Sequence, residues 1–385
     1  MLADVIVIGG GLAGTALTYH LAQQGAKVLL LEQGRIAGEA SGATMGMALW
    51  ISMSSEAELA QAVDGFGRLP KLAEELEANL RYRLMPSLVL APHEAIFIKL
   101  SRQAERFQQA GLPAKMVDLA EMAELEPALN PTQAVGALLA EQGHLDGAAL
   151  TEAYANAARR LGAEVREYAP VRGFELKDDR VISVQTDQEK FSAGQVVLAA
   201  GAWSRQLAAL AGVDLPIYHL HGQAVATVAL PPLLKCMLMI ARPDGYAGLE
   251  RWVAASLAQG DSWEAWQDNT EAQDTSLVQL RDGRVLLGQV SRALPAHRLS
   301  LQAGAVERIQ LGAAQLVPAL TDIPLQRSWI APVSFTASQE PRLGLAPGFR
   351  NLFICAGFKS ILLTAPVACA RLAQEIIGQN KAEHT

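Results

Sequence analysis

Gly9, Gly11 and Gly14 stand in GxGxxG spacing directly behind the apolar run Ala3-Asp4-Val5-Ile6-Val7-Ile8, and Glu32 closes a second apolar run that begins at Lys27. These residue types at this spacing bind a dinucleotide. Gly9 makes the tight turn, Gly11 lets backbone approach a pyrophosphate, and Gly14 lets a helix pack closely on its strand, with the helix N-terminus facing the anion. Glu32 would accept hydrogen bonds from ribose hydroxyls, and its charge disfavours a 2′-phosphate, which argues against NADP. The motif alone leaves NAD and FAD open. Elsewhere, His219 and His221 bracket Leu220, so strand alternation puts both on one face. They are read as a paired-imidazole site or, more simply, as satisfied structural histidines.

The elements that must position these groups follow from the apolar pattern. Val5 to Ile8 read as a buried parallel strand, Thr15 to Gln24 as a helix, and Lys27 to Leu31 as the next strand. A Gly/Ala/Ser/Met-rich stretch, Gly38 to Met53, leads into a helical stretch Glu56 to Asn79 that the pattern breaks near Gly65 to Pro70. Arg81 to Leu90 reads as a strand, His93 to Ala110 and Leu119 to Leu129 as helices, Gly147 to Leu161 as a helix, and Phe174 to Thr186 as a hairpin turning at Asp178-Asp179.

The chain has 385 residues, half of them apolar, which is long for one core and implies two domains or more. A net charge of −7 without a basic block argues against nucleic acid. Cys236, Cys355 and Cys369 lack metal-ligand spacing and read as small core residues of a reducing compartment. With no signal-peptide pattern, and no apolar run reaching the ~18 residues of a membrane span, a cytoplasmic location is expected.

Two later segments separate FAD from NAD. Val197-Leu198-Ala199-Ala200-Gly201-Ala202-Trp203-Ser204 has the form of a strand ending in a small-residue turn against a dinucleotide, and Phe353-Ile354-Cys355-Ala356-Gly357-Phe358 precedes a C-terminal helix whose N–H groups could face a flavin. Such a helix end would stabilise negative charge on a reduced ring. Three strand-glycine segments in this order favour FAD.

With these segments in place, the chain resembles the D-amino-acid oxidase superfamily of FAD-dependent oxidoreductases, most closely its glycine oxidase and sarcosine oxidase branch. The likeness includes Ser41-Gly42-Ala43-Thr44-Met45-Gly46-Met47, His144-Leu145-Asp146, Gly162-Ala163-Glu164-Val165, Val171, Leu220-His221-Gly222-Gln223 and Ala365-Pro366. It implies an α/β fold: a glutathione-reductase-type, Rossmann-like FAD domain (residues 1–80, 141–218 and 328–385), and a substrate domain with a mixed, largely antiparallel sheet and flanking helices (81–140 and 219–327). It also implies noncovalent FAD. The cofactor contacts would come from Gly9, Gly11, Leu12, Ala13 and Gly14; from Glu32 and Gln33; from Ser41, Ala43, Thr44, Gly46 and Met47; from Val171; from Ala200, Gly201 and Trp203; and from Gly357, Phe358, Lys359, Ser360, Ile361 and Leu362.

The reaction implied is oxidation of a C–N bond in a small amine or amino acid of the glycine, sarcosine or D-amino-acid type, with hydride passing to flavin N5. The cofactor performs the hard step, so the absence of a catalytic triad carries no weight. The pattern breaks where amino-acid-oxidising members carry a carboxylate-binding Arg after the tryptophan of this segment. Here Trp329-Ile330-Ala331-Pro332-Val333 puts a valine, which cannot pair with a carboxylate. Lys359 is the replacement cation expected, with Met47 and Tyr246 as further substrate contacts and His221 as a weaker catalytic assignment; the plainer alternative for Lys359 is a solvent-facing lysine. Glu39, where relatives carry arginine, is expected to point away from the phosphates. Arg242 and Arg251 are further polar groups, while Trp252, Trp263 and Trp266 read as packing residues. Two other functions stay open: the flavin subunit of a heteromeric opine or amino-acid dehydrogenase, passing electrons to a partner protein or quinone in place of O2, and an FAD-holding binding subunit without catalysis.

Overall fold

The computed structural model of the protein describes residues 2–53, 55–242, 271–294, 304–336 and 340–383. The chain forms two compact units, one of Met1–Tyr82, Leu145–His219 and Val333–Thr385, the other of Arg83–His144 and Leu220–Pro332.

The first unit is built on a largely parallel sheet with the strand order Arg342–Leu345, Leu352–Ala356, Lys190–Leu198, Leu2–Ile8, Val28–Leu31, Glu164–Arg166. Its central strands are near-continuous runs of Val, Ile and Leu buried on both faces, as a parallel sheet covered by helices requires. The pairing register decides where the strands end. Ile8 lies opposite both Leu31 and Leu198, and Leu198 opposite Ile354. The residues that follow these four positions therefore emerge along one edge of the sheet: Gly9, Glu32, Ala199 and Cys355. A hairpin, Val171–Lys177 with Arg180–Thr186, joins the start of the Lys190–Leu198 strand, and Asp178 takes its turn at φ +53°. Asn351 locks this corner. Its amide donates to the carbonyls of Val181 and Gly194 and its oxygen accepts from Val181 N–H, so one buried side chain replaces ladder bonds that the strands cannot make to each other.

One expectation is corrected in this unit. The helix Glu56–Glu75 is uninterrupted and carries Pro70 inside it. Gly65 does not break it because the position is a contact: a Cβ there would lie 2.1 Å from the Leu363 carbonyl, so only glycine permits this approach of the C-terminal helix. The capping box of Ser55 and Glu58 fixes the helix start. A stretch of the C-terminal helix, Ile361–Gln379, is long and apolar enough to cross a membrane by length and composition alone. Ala365, Val367, Cys369, Leu372 and Ile376 are buried inside the unit, which is what the core helix of a folded domain looks like.

The second unit is a mixed sheet in the order Leu325–Thr336, Ile217–Thr227, Val285–Leu294, Glu271–Gln279, Met237–Ile240, Arg83–Ala91, Gly136–His144, with Ala114–Val117 added on the last strand. Met237–Ile240 runs parallel to Arg83–Ala91; the neighbouring pairs on either side of these two strands are antiparallel. Helix Ala305–Leu316 packs Ile309, Ala313 and Leu316 into a core shared with Leu88, Leu238, Leu277 and Leu287. Each buried Leu or Ile among them contributes ~1.5–3 kcal/mol by leaving water. Buried polar groups staple loops to this core. Gln279 accepts from Leu233 and Leu234 N–H and donates to the Pro231 and Gly283 carbonyls, and Glu126, fully buried, accepts from Lys235 N–H at 2.7 Å and Cys236 N–H at 2.9 Å. Cys236 is buried beside Glu126, and burial first, then that carboxylate, push its thiol up to about 12.

Candidate dinucleotide site

The site lies in the first unit, where the first helix, Leu12–Gln23, starts after the first strand. Gly9 has φ +119°, and a Cβ there would sit 2.4 Å from the Ala199 carbonyl oxygen. At Gly14 a Cβ would stand 1.9 Å from the Gly9 carbonyl oxygen, so helix and strand meet backbone to backbone. Gly11 differs: a Cβ would meet only Ser41 Oγ, at 3.1 Å, and the side left bare by the missing side chain is open. The helix's first N–H groups have no intrahelical partner, and Gly11 supplies no side-chain cap. Ser41 Oγ takes one of them, accepting from Leu12 N–H at 2.9 Å. The rest form a donor cluster at the positive end of the helix, shaped for an anion.

Glu32 leaves the end of the second strand and closes on this turn. Oε2 accepts from Gly10 N–H at 2.6 Å and Oε1 from Gly34 N–H at 2.7 Å. Burial raises its carboxyl above the usual range and the two N–H bonds pull it back down, with Glu167 adding a smaller upward push. The carboxylate keeps lone pairs beyond those two bonds, which is what a ribose diol needs. The loop that follows is laced to the glycine turn at both ends, by Ala37 N–H to the Gly10 carbonyl and by the Ser41 bond. Glu39, between these anchors, is exposed, yet its carboxyl is raised by partial burial first and by Glu32 second.

The other expected contacts fall as follows. Ala43 N–H donates to the Glu39 carbonyl, and Thr44 Oγ1 accepts from Gly46 N–H at 3.3 Å; Gly46 has φ +79° and its carbonyl accepts from Leu145 N–H. Met47 and Val171 are half-buried, Gln33 is exposed. Ala200, Gly201 and Trp203 form a tight turn after the third strand of the edge, with Gly201 at φ +52° and no atom within 4 Å of where its Cβ would be. Gly357 has φ +82° and would drive a Cβ to 2.7 Å from Thr336 Cγ2. Leu12, Ala13, Phe358 and Leu362 are buried, so what they can offer a ligand is backbone. Ser360 holds a left-handed φ of +46°, donates to the Leu49 carbonyl and bonds Ser52 Oγ. Lys359 is half-buried rather than on open surface, and its carbonyl accepts from Thr364 Oγ1 at 2.8 Å. Ile361 and Val333 are half-buried, and His219 and His221 are both buried in their strand. Tyr246, Arg251, Trp252, Trp263 and Trp266 lie outside the described residues; Arg242 is exposed. Among the described residues no metal-holding cluster of His, Cys, Asp and Glu occurs.

Three contributors have no signal in the sequence. Glu167 Oε1 accepts from Ile36 N–H at 2.7 Å, Thr364 shapes the Lys359 turn, and Cys369 Sγ lies 3.7 Å from Cys355 Sγ while donating to the Ala13 carbonyl. Their partners are distant in the chain or carry no motif.

An open glycine turn at a helix N-terminus, a ribose-ready carboxylate, and two further strand-glycine turns on the same sheet edge define a dinucleotide-binding protein of the two-domain α/β class, and the cradle at Gly11 fits a dinucleotide pyrophosphate. Comparison with known proteins carries this further. Residues 4–376 match the family DAO, FAD dependent oxidoreductase. Glycine oxidase of Geobacillus kaustophilus is 28% identical over 373 residues, covering 94% of this chain and 90% of that protein. Its crystal structure superposes with a TM-score of 0.83 over 98% of this chain and 95% of that one, at 27% identity. 4-Methylaminobutanoate oxidase (formaldehyde-forming) of Paenarthrobacter nicotinovorans is 26% identical over 97% of this chain, which spans 43% of that longer protein. The chain belongs to the DAO family of FAD-dependent oxidoreductases, and its cofactor is FAD.

Proposed function

We propose that the protein oxidises the C–N bond of a small amine or amino acid, with FAD held noncovalently. The observation that carries this is the common sheet edge at Ile8, Leu31, Leu198 and Ile354, which gathers the three glycine turns expected to bind one extended cofactor. The names of the relatives, a glycine oxidase and a methylaminobutanoate oxidase, support an amine donor. Bound FAD would supply the two-electron acceptor. The chain's own part is to bind and orient: the first-helix N–H groups and Ser41 take the pyrophosphate, Glu32 the ribose, and the turn Gly357 to Ile361 presents N–H groups at the start of the C-terminal helix. Val333 removes the cation expected for a carboxylate, which points to Lys359 as the substrate-side charge or to an amine without an α-carboxylate.

The test is anaerobic bleaching of the yellow protein by glycine, sarcosine, D-amino acids, proline derivatives, opines and N-methylated amines. Bleaching by one class, followed by peroxide release in air, identifies an oxidase. Bleaching without peroxide identifies a dehydrogenase that needs a partner, and no bleaching by any member overturns the assignment in favour of a binding subunit. Lys359→Ala is expected to change turnover or flavin potential severalfold; unchanged values for both return Lys359 to a purely structural place.

A further inference from the structure

Tyr168 is the most exposed large hydrophobic residue of the described residues, at 72%, and it holds a left-handed φ of +56°. A bulky residue in that region costs on the order of 1–3 kcal/mol, a strain that persists only where the surroundings over-determine it. They do so here. Leu31 pairs with Arg166 at the strand ends, Glu32 N–H donates to the Arg166 carbonyl, Ala169 N–H to the Glu32 carbonyl, and Tyr168 N–H to the Gly34 carbonyl. The Glu167 carboxylate adds the bond from Ile36 N–H. The segment 166–169 is thus stitched to the residues that carry Glu32, and the stitching turns the Tyr168 ring out of the fold. No hydrogen bond or ring contact holds that ring among the described residues.

We propose that Tyr168 is a stacking platform for the adenine base of the dinucleotide, and so a determinant of cofactor affinity and of purine selectivity. The inference rests on the assignment of Glu32 to the adenosine ribose. From a ribose held at Glu32, the base must leave toward the neighbouring strand end, and the segment bonded to Glu32 and Gly34 is the one that presents Tyr168. An aromatic face is the chemistry that recognises a planar base, and a ring open to water when unliganded gains by being covered.

Full-length protein stripped of FAD is titrated with FAD, ADP and FMN, the last lacking the adenosine. Tyr168→Ala is expected to weaken FAD and ADP by at least about fivefold, with Tyr168→Phe close to the parent and FMN binding unchanged. Tyr168→Gly, which suits the backbone, should lose FAD affinity like alanine while the melting temperature holds. FAD affinity unchanged in Tyr168→Ala overturns the proposal, as does an equal loss for FMN or an equal loss in Tyr168→Phe. Gly11→Glu separates the two levels. If it leaves FAD binding intact, the glycine-turn site itself is wrong and the proposal falls with it; if it abolishes FAD binding while Tyr168→Ala is neutral, only the role of Tyr168 falls.

Discussion

Glu32 in the first unit and Glu126 in the second are built alike and serve opposite ends. Each carboxylate accepts two backbone N–H groups at 2.6–2.9 Å. Glu32 is reached from a strand end, binds the glycine turn beside it, and keeps acceptor capacity toward an open face. Glu126 is fully buried, both bonds go to one oxygen, and it fixes the entry of Met237–Ile240 into its sheet. The difference teaches that ligation pattern does not mark a binding residue; the direction left open does.

The comparison breaks if the two respond to mutation in the same way. Glu126→Ala leaves the buried Cys236 N–H and the part-buried Lys235 N–H without an acceptor and should cost about 3 kcal/mol of unfolding free energy, read by urea denaturation, with FAD affinity of the folded fraction unchanged. A loss below 1 kcal/mol would sink the staple assignment. His20 sharpens the first unit's side of the contrast. It lies on the buried face of the first helix against Tyr19 and Tyr154, and burial pushes its imidazole down to about 4. The folded pKa is below the ordinary 6.5, so stability is complete above pH 6.5 and falls as pH drops toward 4, by about 3 kcal/mol. His20→Leu should flatten that acid limb; an unchanged limb would place the acid sensitivity elsewhere.

Smaller effects follow at the site. Glu32→Gln keeps only one acceptor oxygen, so FAD affinity should fall about tenfold while the melting temperature of the cofactor-free chain changes little, because the variant also removes a carboxyl that burial holds above its usual range. Raised in the fold, that carboxyl by itself contributes stability that is present at acid pH and lost as pH rises through its folded pKa, opposite in sign to the His20 contribution. Smallest is Glu39→Gln. Removing a second negative charge beside the pyrophosphate site should tighten FAD about two- to threefold at low salt, and the gain should vanish at high salt; equal affinity at low salt would show that Glu39 does not feel the cofactor.

What was legible in the sequence divides along the same line. The glycine turn and Glu32 are readable because their demands are local: a φ that only glycine adopts easily, a close approach, and a carboxylate one strand later. The turns at Gly201 and Gly357 are readable for the same reason. Glu126, with partners about a hundred residues away, Asn351, which bonds Val181 and Gly194, and Tyr168, whose exposure depends on pairing with Gly34, leave no periodic trace. The break expected at Gly65 failed instructively: a glycine placed for contact with Leu363 looks like a helix breaker until the contacting helix is in view.

The strand order of the first unit also sets a timetable. The strand Leu2–Ile8 is made before its neighbour Lys190–Leu198, and that strand before Leu352–Ala356 and the helix behind it. The cofactor bay is therefore complete only after the strand Leu352–Ala356 has been made, whereas the whole of the second unit, ending at Pro332, precedes that strand in the chain. FAD therefore meets a complete bay only after every residue of the second unit has been made.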